Sequence, residues 1–77
     1  MTLTLYSKPG CHLCEELRNR LDELQPQFGF ALSEIDITRD AELFARFRYG
    51  IPVLFRAGEE IARGRVADHE LLMMLGK

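Results

Sequence analysis

The chain predicts an α/β domain, a mixed sheet covered by helices. Two observations carry that reading. Apolar patterning switches between the two-residue alternation of strands and the three-to-four-residue spacing of helices, in the order strand, helix, strand, helix, strand, strand, helix. The first strand–helix–strand unit fits a right-handed parallel crossover, while the closing hairpin must be antiparallel, so the sheet is mixed.

The elements follow in order. Thr2 to Tyr6 alternates, with Leu3 and Leu5 on one face and Thr2, Thr4 and Tyr6 on the other. The turn cluster Ser7-Lys8-Pro9-Gly10 delivers the chain to Cys11. Leu13, Leu17, Leu21 and Leu24 then form one stripe of an amphipathic helix, with Glu15 and Glu16 near its start and Pro26 as its predicted end. Phe28, Phe30 and Leu32 alternate on one parity and Ile35 and Ile37 on the other, which predicts a second strand with a bulge or phase slip near Ser33-Glu34. Thr38 or Asp40 can cap a helix that buries Leu43, Phe44 and Phe47 and stops at Gly50. Pro52 can only open a strand or lie on an edge, so Val53-Leu54-Phe55 follows it as strand. Ala57-Gly58 falls in a predicted loop of three to five residues before the strand Glu60–Arg63, which Gly64 closes. Asp68 is the predicted N-cap of a last helix carrying Leu71, Leu72 and Leu75, with Gly76 as its stop.

With 77 residues the chain has room for one domain, residues 1–77. Its 47% hydrophobic and 29% charged residues exclude a disordered polymer. No apolar run approaches the roughly 18 residues a membrane span needs. The alternating start lacks a basic leader and an apolar block, so it reads as a strand and not as a signal peptide, and a cytoplasmic location is expected. A net charge of −2 supplies no electrostatic footprint for nucleic acid.

Cys11 and Cys14 are the chain's 2 cysteines and form a single Cys-x-x-C. A bond between them would close so short a loop that chain entropy credits it with only about 2 kcal/mol, so the spacing calls for a chemical reason. Between a strand and the helix that follows, Cys11 meets the unpaired N–H groups and positive dipole end that favour an anion. Lys8 can add positive charge, and a thiol pKa below the free value of about 8.5 is expected for Cys11. A lower pKa raises the thiolate fraction at pH 7, but nucleophilicity falls with it, so the net gain as attacker is small. The larger gain comes where Cys11 is itself the leaving group of a mixed disulfide, and Cys14 supplies the second attacking thiol of the cycle. A two-thiol exchange cycle therefore explains why both cysteines are present.

Other residues admit plainer readings. Glu15 and Glu16 oppose a thiolate at this helix start. His12 is either a pKa-tuning neighbour or an exposed spacer, and Lys8 either a functional cation or a solvated side chain. His69 reads as an exposed first-turn residue, and Met73 and Met74 as filler. His12 and His69 lack zinc-finger spacing, so no metal site is assigned within one chain. A dimer pooling four thiolates around zinc or an iron–sulfur cluster is the metal alternative, and a non-catalytic interaction module is the other.

Lys8-Pro9-Gly10-Cys11-His12-Leu13-Cys14 after a first strand, with Gly50-Ile51-Pro52-Val53 before a hairpin, resembles the glutaredoxins of the thioredoxin superfamily, above all short bacterial glutaredoxin-like proteins with a Cys-His-Leu-Cys site. The resemblance spans nearly the whole chain. It implies a thioredoxin fold, with a four-stranded mixed sheet flanked by three helices, and a thiol–disulfide oxidoreductase with Cys11 as nucleophile and Cys14 as resolving thiol. It further implies that Ile51–Pro52 is cis and faces the cysteines, with Ile51 offering backbone groups to a substrate disulfide. Lys8 matches a lysine that meets the glutathione carboxylate, and Asp68 lies near an acidic residue that meets the glutathione amine.

Two departures bear on the partner. Cys-His-Leu-Cys replaces the usual Cys-Pro-Tyr-Cys, and Ala62-Arg63-Gly64-Arg65 holds one glycine where the family has two, so Arg63 and Arg65 can either crowd the cleft or grip carboxylates, and Arg63 is expected to crowd a bound glutathione. No bound cofactor is expected. The partners expected are a protein or small-molecule disulfide, with glutathione or a flavoprotein thioredoxin reductase as electron source and glutathione the weaker of the two.

Overall fold

Strand alternation at the start of the chain puts Leu3 and Leu5 on a single face, and neither has exposed surface in the computed structural model, which describes residues 1–76. The elements are β1 (Thr2–Ser7), α1 (His12–Phe28), β2 (Ala31–Asp36), a short 3-10 turn (Ile37–Arg39), α2 (Ala41–Phe47), β3 (Val53–Arg56), β4 (Glu59–Arg63) and α3 (Asp68–Leu75). The sheet runs β2-β1-β3-β4, with β1 parallel to β2 and antiparallel to β3, and β3 antiparallel to β4. This is the four-stranded mixed sheet with three helices that the sequence predicts, a thioredoxin fold. No helix among the described residues is long and apolar enough to cross a membrane.

Two clusters hold the sheet. On one face Leu17 and Leu21 of α1 and Leu71 and Leu75 of α3 pack with Leu3, Leu5, Phe30 and Leu54. On the other, Phe47 of α2 packs with Ile37 and Val53, and Tyr6 and Phe55 close around them. Both faces of the sheet are therefore covered, and this explains β2. Leu32 packs against the first cluster, whereas Ile35 pairs with Tyr6 on the second face. The switch of parity that reads as a bulge is one regular strand serving both faces. Its register with β1 is unbroken from Thr2↔Ala31 to Ser7↔Asp36. Phe28 belongs to α1, and Ile37 to the 3-10 turn.

Other boundaries also differ from expectation. Helix α1 passes through Pro26 and ends at Gly29, whose φ of 70° and N–H to the Gln25 carbonyl, at 2.8 Å, make the stop. Pro26 sits in the last turn and is exposed, so its missing N–H frees one carbonyl that water can reach. Asp40 caps α2, accepting from the N–H groups of Glu42 and Leu43, and Asp36 caps the 3-10 turn in the same manner. Arg48 is the C-cap of α2, and Gly50 donates to the Phe47 carbonyl two residues later. Arg56 pairs with Glu59, so the hairpin loop is the pair Ala57-Gly58, both with positive φ (52° and 80°). The sheet's irregularity lies in β4, where Leu54 pairs with Ala62 and Phe55 with Glu60, leaving Ile61 as the extra residue.

Asp68 is the first residue of α3 and not its cap. Ala67 holds the cap position and makes no side-chain bond. Arg20 of α1 takes over the anchoring, donating to the Val66 carbonyl at 2.6 Å and pairing with the Asp68 carboxylate at 2.7 Å.

Candidate redox site

The alternation of β1 continues past Leu5 to Ser7, which is buried and donates to Glu34 Oε2 at 2.9 Å. From Ser7 the chain turns through Lys8, Pro9 and Gly10, and Gly10 adopts a φ of 77° that an L side chain rarely accepts. The turn delivers Cys11 to the N-cap of α1 in extended conformation. Its Sγ accepts from the Cys14 N–H at 3.2 Å, and its carbonyl accepts from the Glu15 N–H at 3.1 Å. Cys11 and Cys14 are joined as a disulfide. Cys11 is half-buried, whereas Cys14, one turn deeper, is 2% exposed. That asymmetry follows from the stripe of α1: Cys14, Leu17 and Leu21 share the face turned inward.

The partner loop arrives from β3. Val53 pairs with Tyr6, so the residues before Val53 lie at the end of the sheet from which Ser7 leads to Cys11. Ile51–Pro52 is cis, Pro52 is buried and Ile51 half-buried. The Pro52 carbonyl accepts from the Gly64 N–H at 2.7 Å, which ties this loop to the end of β4.

Lys8 is exposed and lines a cleft of about 340 Å³ together with Glu15, Arg18, Glu34 and Asp36. Arg18 bridges Glu34 at 3.7 Å and Asp22 at 3.6 Å. Two hydrogen bonds from Thr38 hold the Asp36 carboxyl below the usual carboxylate range, so it stays charged. The cleft beside the cysteine loop thus carries three carboxylates against two cations. His12 is exposed at the first position of α1. Asp68 lies at the α1–α3 contact with Arg20 already against its carboxylate.

Arg63 turns toward α2. Glu60 holds its guanidinium through two hydrogen bonds, at 2.7 and 3.0 Å, and the group lies 5.8 Å from the Phe47 ring centre, against Gly50. Sequence reasoning missed Glu34 and Arg18 as neighbours of this loop. The parity of Leu3, Leu5 and Ser7 was the available signal, because it turns Ser7 inward, where a hydroxyl must find a partner.

A family model for the glutaredoxin-like domain (DUF836) matches residues 2–76. The chain belongs to this glutaredoxin-like family. It is similar to an uncharacterized protein of Mycobacterium tuberculosis, 31% identical over 72 residues, spanning 87% of this chain and 74% of that one. Among solved structures it resembles protein XcR50 from X. campestris, with TM-score 0.81 and 28% identity over 96% of this chain and 95% of that one. Protein Ne2328 from Nitrosomonas europaea is similar at TM-score 0.79 and 29% identity, covering 95% and 88% of the two chains. The thioredoxin-like protein BC3987 shares the fold at TM-score 0.69 and 23% identity, over 96% and 94%.

Proposed function

We propose that this glutaredoxin-like chain is a dithiol thiol–disulfide oxidoreductase acting on a protein disulfide in a reducing compartment. The observation that supports this most is the placement of Cys11 on the N-cap of α1, half-buried and bonded to the buried Cys14. In the reduced protein the Cys11 thiolate attacks one sulfur of the target disulfide, forms a mixed disulfide and releases the other target sulfur as a thiolate. Cys14 then loses its proton and attacks Cys11 Sγ, which expels the second target thiolate and forms the Cys11–Cys14 disulfide. Two electrons pass from the dithiol to the target, and a thiol or dithiol reductant restores the starting state. The helix start favours the thiolate both as it forms and as it leaves.

Glutathione fits this site poorly, and its own charges are the reason. Lys8 shares its cleft with three carboxylates, and one oxygen of the otherwise exposed Asp68 carboxylate already pairs with Arg20, so both matched contacts face competition. A protein disulfide as substrate and a flavoprotein thioredoxin reductase as reductant fit better, with the backbone of Ile51, ahead of the buried Pro52, as the place beside which the disulfide lies. Coupled reduction assays, with glutathione and its reductase beside thioredoxin reductase, test the choice of reductant. Brisk turnover with glutathione would reverse it. Cys11→Ser is expected to abolish exchange, and Cys14→Ser to accumulate a mixed disulfide visible by mass spectrometry. No turnover even with dithiothreitol as reductant would leave the non-catalytic module as the reading.

A further inference from the structure

Charge is unevenly placed along this chain. Residues 1–38 hold six carboxylates against three cations, whereas residues 43–58 hold Arg46, Arg48 and Arg56 with no carboxylate. Arg56 is spent on the opposite face, where it donates to the Met74 carbonyl at 2.6 Å. Arg46 and Arg48 are exposed and make no salt bridge among the described residues, although Arg46 lies near enough to the Glu60 carboxylate, already bonded to Arg63, to help hold it charged.

Both are nevertheless held in place. The Arg46 guanidinium lies 4.8 Å from the Phe47 ring centre and 5.9 Å from that of Phe55. The Arg48 guanidinium lies 5.0 Å from Phe44 and 4.7 Å from Tyr49. Stacking of this kind leaves the N–H edges free while limiting the side-chain entropy lost on binding. Tyr49 is 89% exposed, the most open large side chain of the core-forming types. It stands three residues before Pro52, at the end of the sheet that carries the cysteines.

We infer that Arg46, Arg48 and Tyr49 form a docking surface for an acidic segment of the protein whose disulfide exchanges with Cys11, an inference that rests on the exchange reading above. Two planar guanidiniums recognise carboxylates in a bidentate manner, and an exposed tyrosine between them and the Pro52 loop supplies the aromatic anchor such interfaces use. Nucleic acid is the poorer occupant. The patch offers two unpaired arginines on a chain of net charge −2, with six carboxylates in its first half.

The test uses two synthetic peptides of equal length, each with one internal disulfide, flanked in one by glutamates and in the other by lysines. Fluorescence anisotropy with the oxidised protein reads binding without net exchange. The reduced protein then gives the rate of peptide reduction. The glutamate peptide is expected to bind more tightly and react about tenfold faster at low ionic strength, with the gap closing near 0.5 M salt. The Arg46→Gln/Arg48→Gln protein is expected to lose the preference, and Arg46→Lys/Arg48→Lys to keep most of it, each checked for folding by its thermal midpoint. Equal behaviour of the two peptides, a preference that survives the glutamine pair, or tighter binding of a single-stranded oligonucleotide than of the glutamate peptide would overturn the inference. Reduction of 2-hydroxyethyl disulfide by the wild-type protein is scored separately, and its absence defeats the exchange reading whatever the peptides do.

Discussion

Glu60 and Arg63 meet although residues three apart on a regular strand point to opposite faces. The extra residue at Ile61 reverses the parity between them: Glu60 lies across from Phe55 and Arg63 across from Val53, which share a face. Without the bulge Arg63 would be turned from α2, and nothing in Ala62-Arg63-Gly64-Arg65 announces it. Cys11 and Cys14 were legible because their spacing and flanking elements alone define their setting, whereas the path of Arg63 depends on pairing across the sheet. Its hydrogen bonds hold the Glu60 carboxyl below its ordinary value of 4.5. Because the folded value is depressed, the stabilisation is complete above that ordinary value and is lost as pH falls through the lower folded one. Carbon-detected NMR titration of Glu60 should show the depressed midpoint, and Arg63→Gln should return it toward 4.5. An unchanged midpoint would disprove the attribution. Gly50 offers a second handle, since a methyl group there meets the Arg63 guanidinium, the movable end of a flexible side chain. Gly50→Ala is therefore expected to cost less than about 1 kcal/mol in urea unfolding, and to release the Glu60 carboxyl as the arginine swings away. A larger loss would mean that Arg63 cannot move.

At the scale of elements, the sequence revealed type and order better than ends. Helix α1 was visible from Leu13, Leu17 and Leu21, but its last turn was not, because Pro26 ordinarily stops a helix and here only exposes one carbonyl near a glycine cap. Pro26→Ala restores that N–H and should raise stability by about 1–2 kcal/mol, less than a full interior proline penalty because the unfolded chain also gains freedom. A fall in the urea midpoint would show instead that proline's restriction of the unfolded state dominates. The hairpin makes a parallel case. A two-residue loop with positive φ at both positions favours Asn-Gly, and Ala57 supplies alanine at a φ of 52°. Alanine concealed the tight turn from a sequence reading that expects a longer loop. Ala57→Asn is expected to stabilise the protein by up to about 1 kcal/mol, read as a higher urea midpoint with unchanged slope.

At the scale of the whole molecule, the sheet is held between two clusters, and neither of them contains the cysteines. A domain of 77 residues has a total stability of about 4–12 kcal/mol, so an interior deletion such as Leu71→Ala, at about 2–5 kcal/mol, approaches the whole reserve. The disulfide stands apart from that arithmetic. It joins residues three apart, and the loop it closes constrains the unfolded chain by only about 2 kcal/mol. Because neither cluster contains the cysteines, reduction is expected to leave Leu3, Leu5, Leu21 and Leu71 in their packing. An exchange cycle requires this, since both of its resting states must be folded. The reduced protein is therefore expected to keep its far-UV circular dichroism and to unfold in urea within about 2 kcal/mol of the oxidised form. A reduced chain that loses its structure would make the cysteine pair a staple, and one of the two states on which the exchange reading depends would not exist.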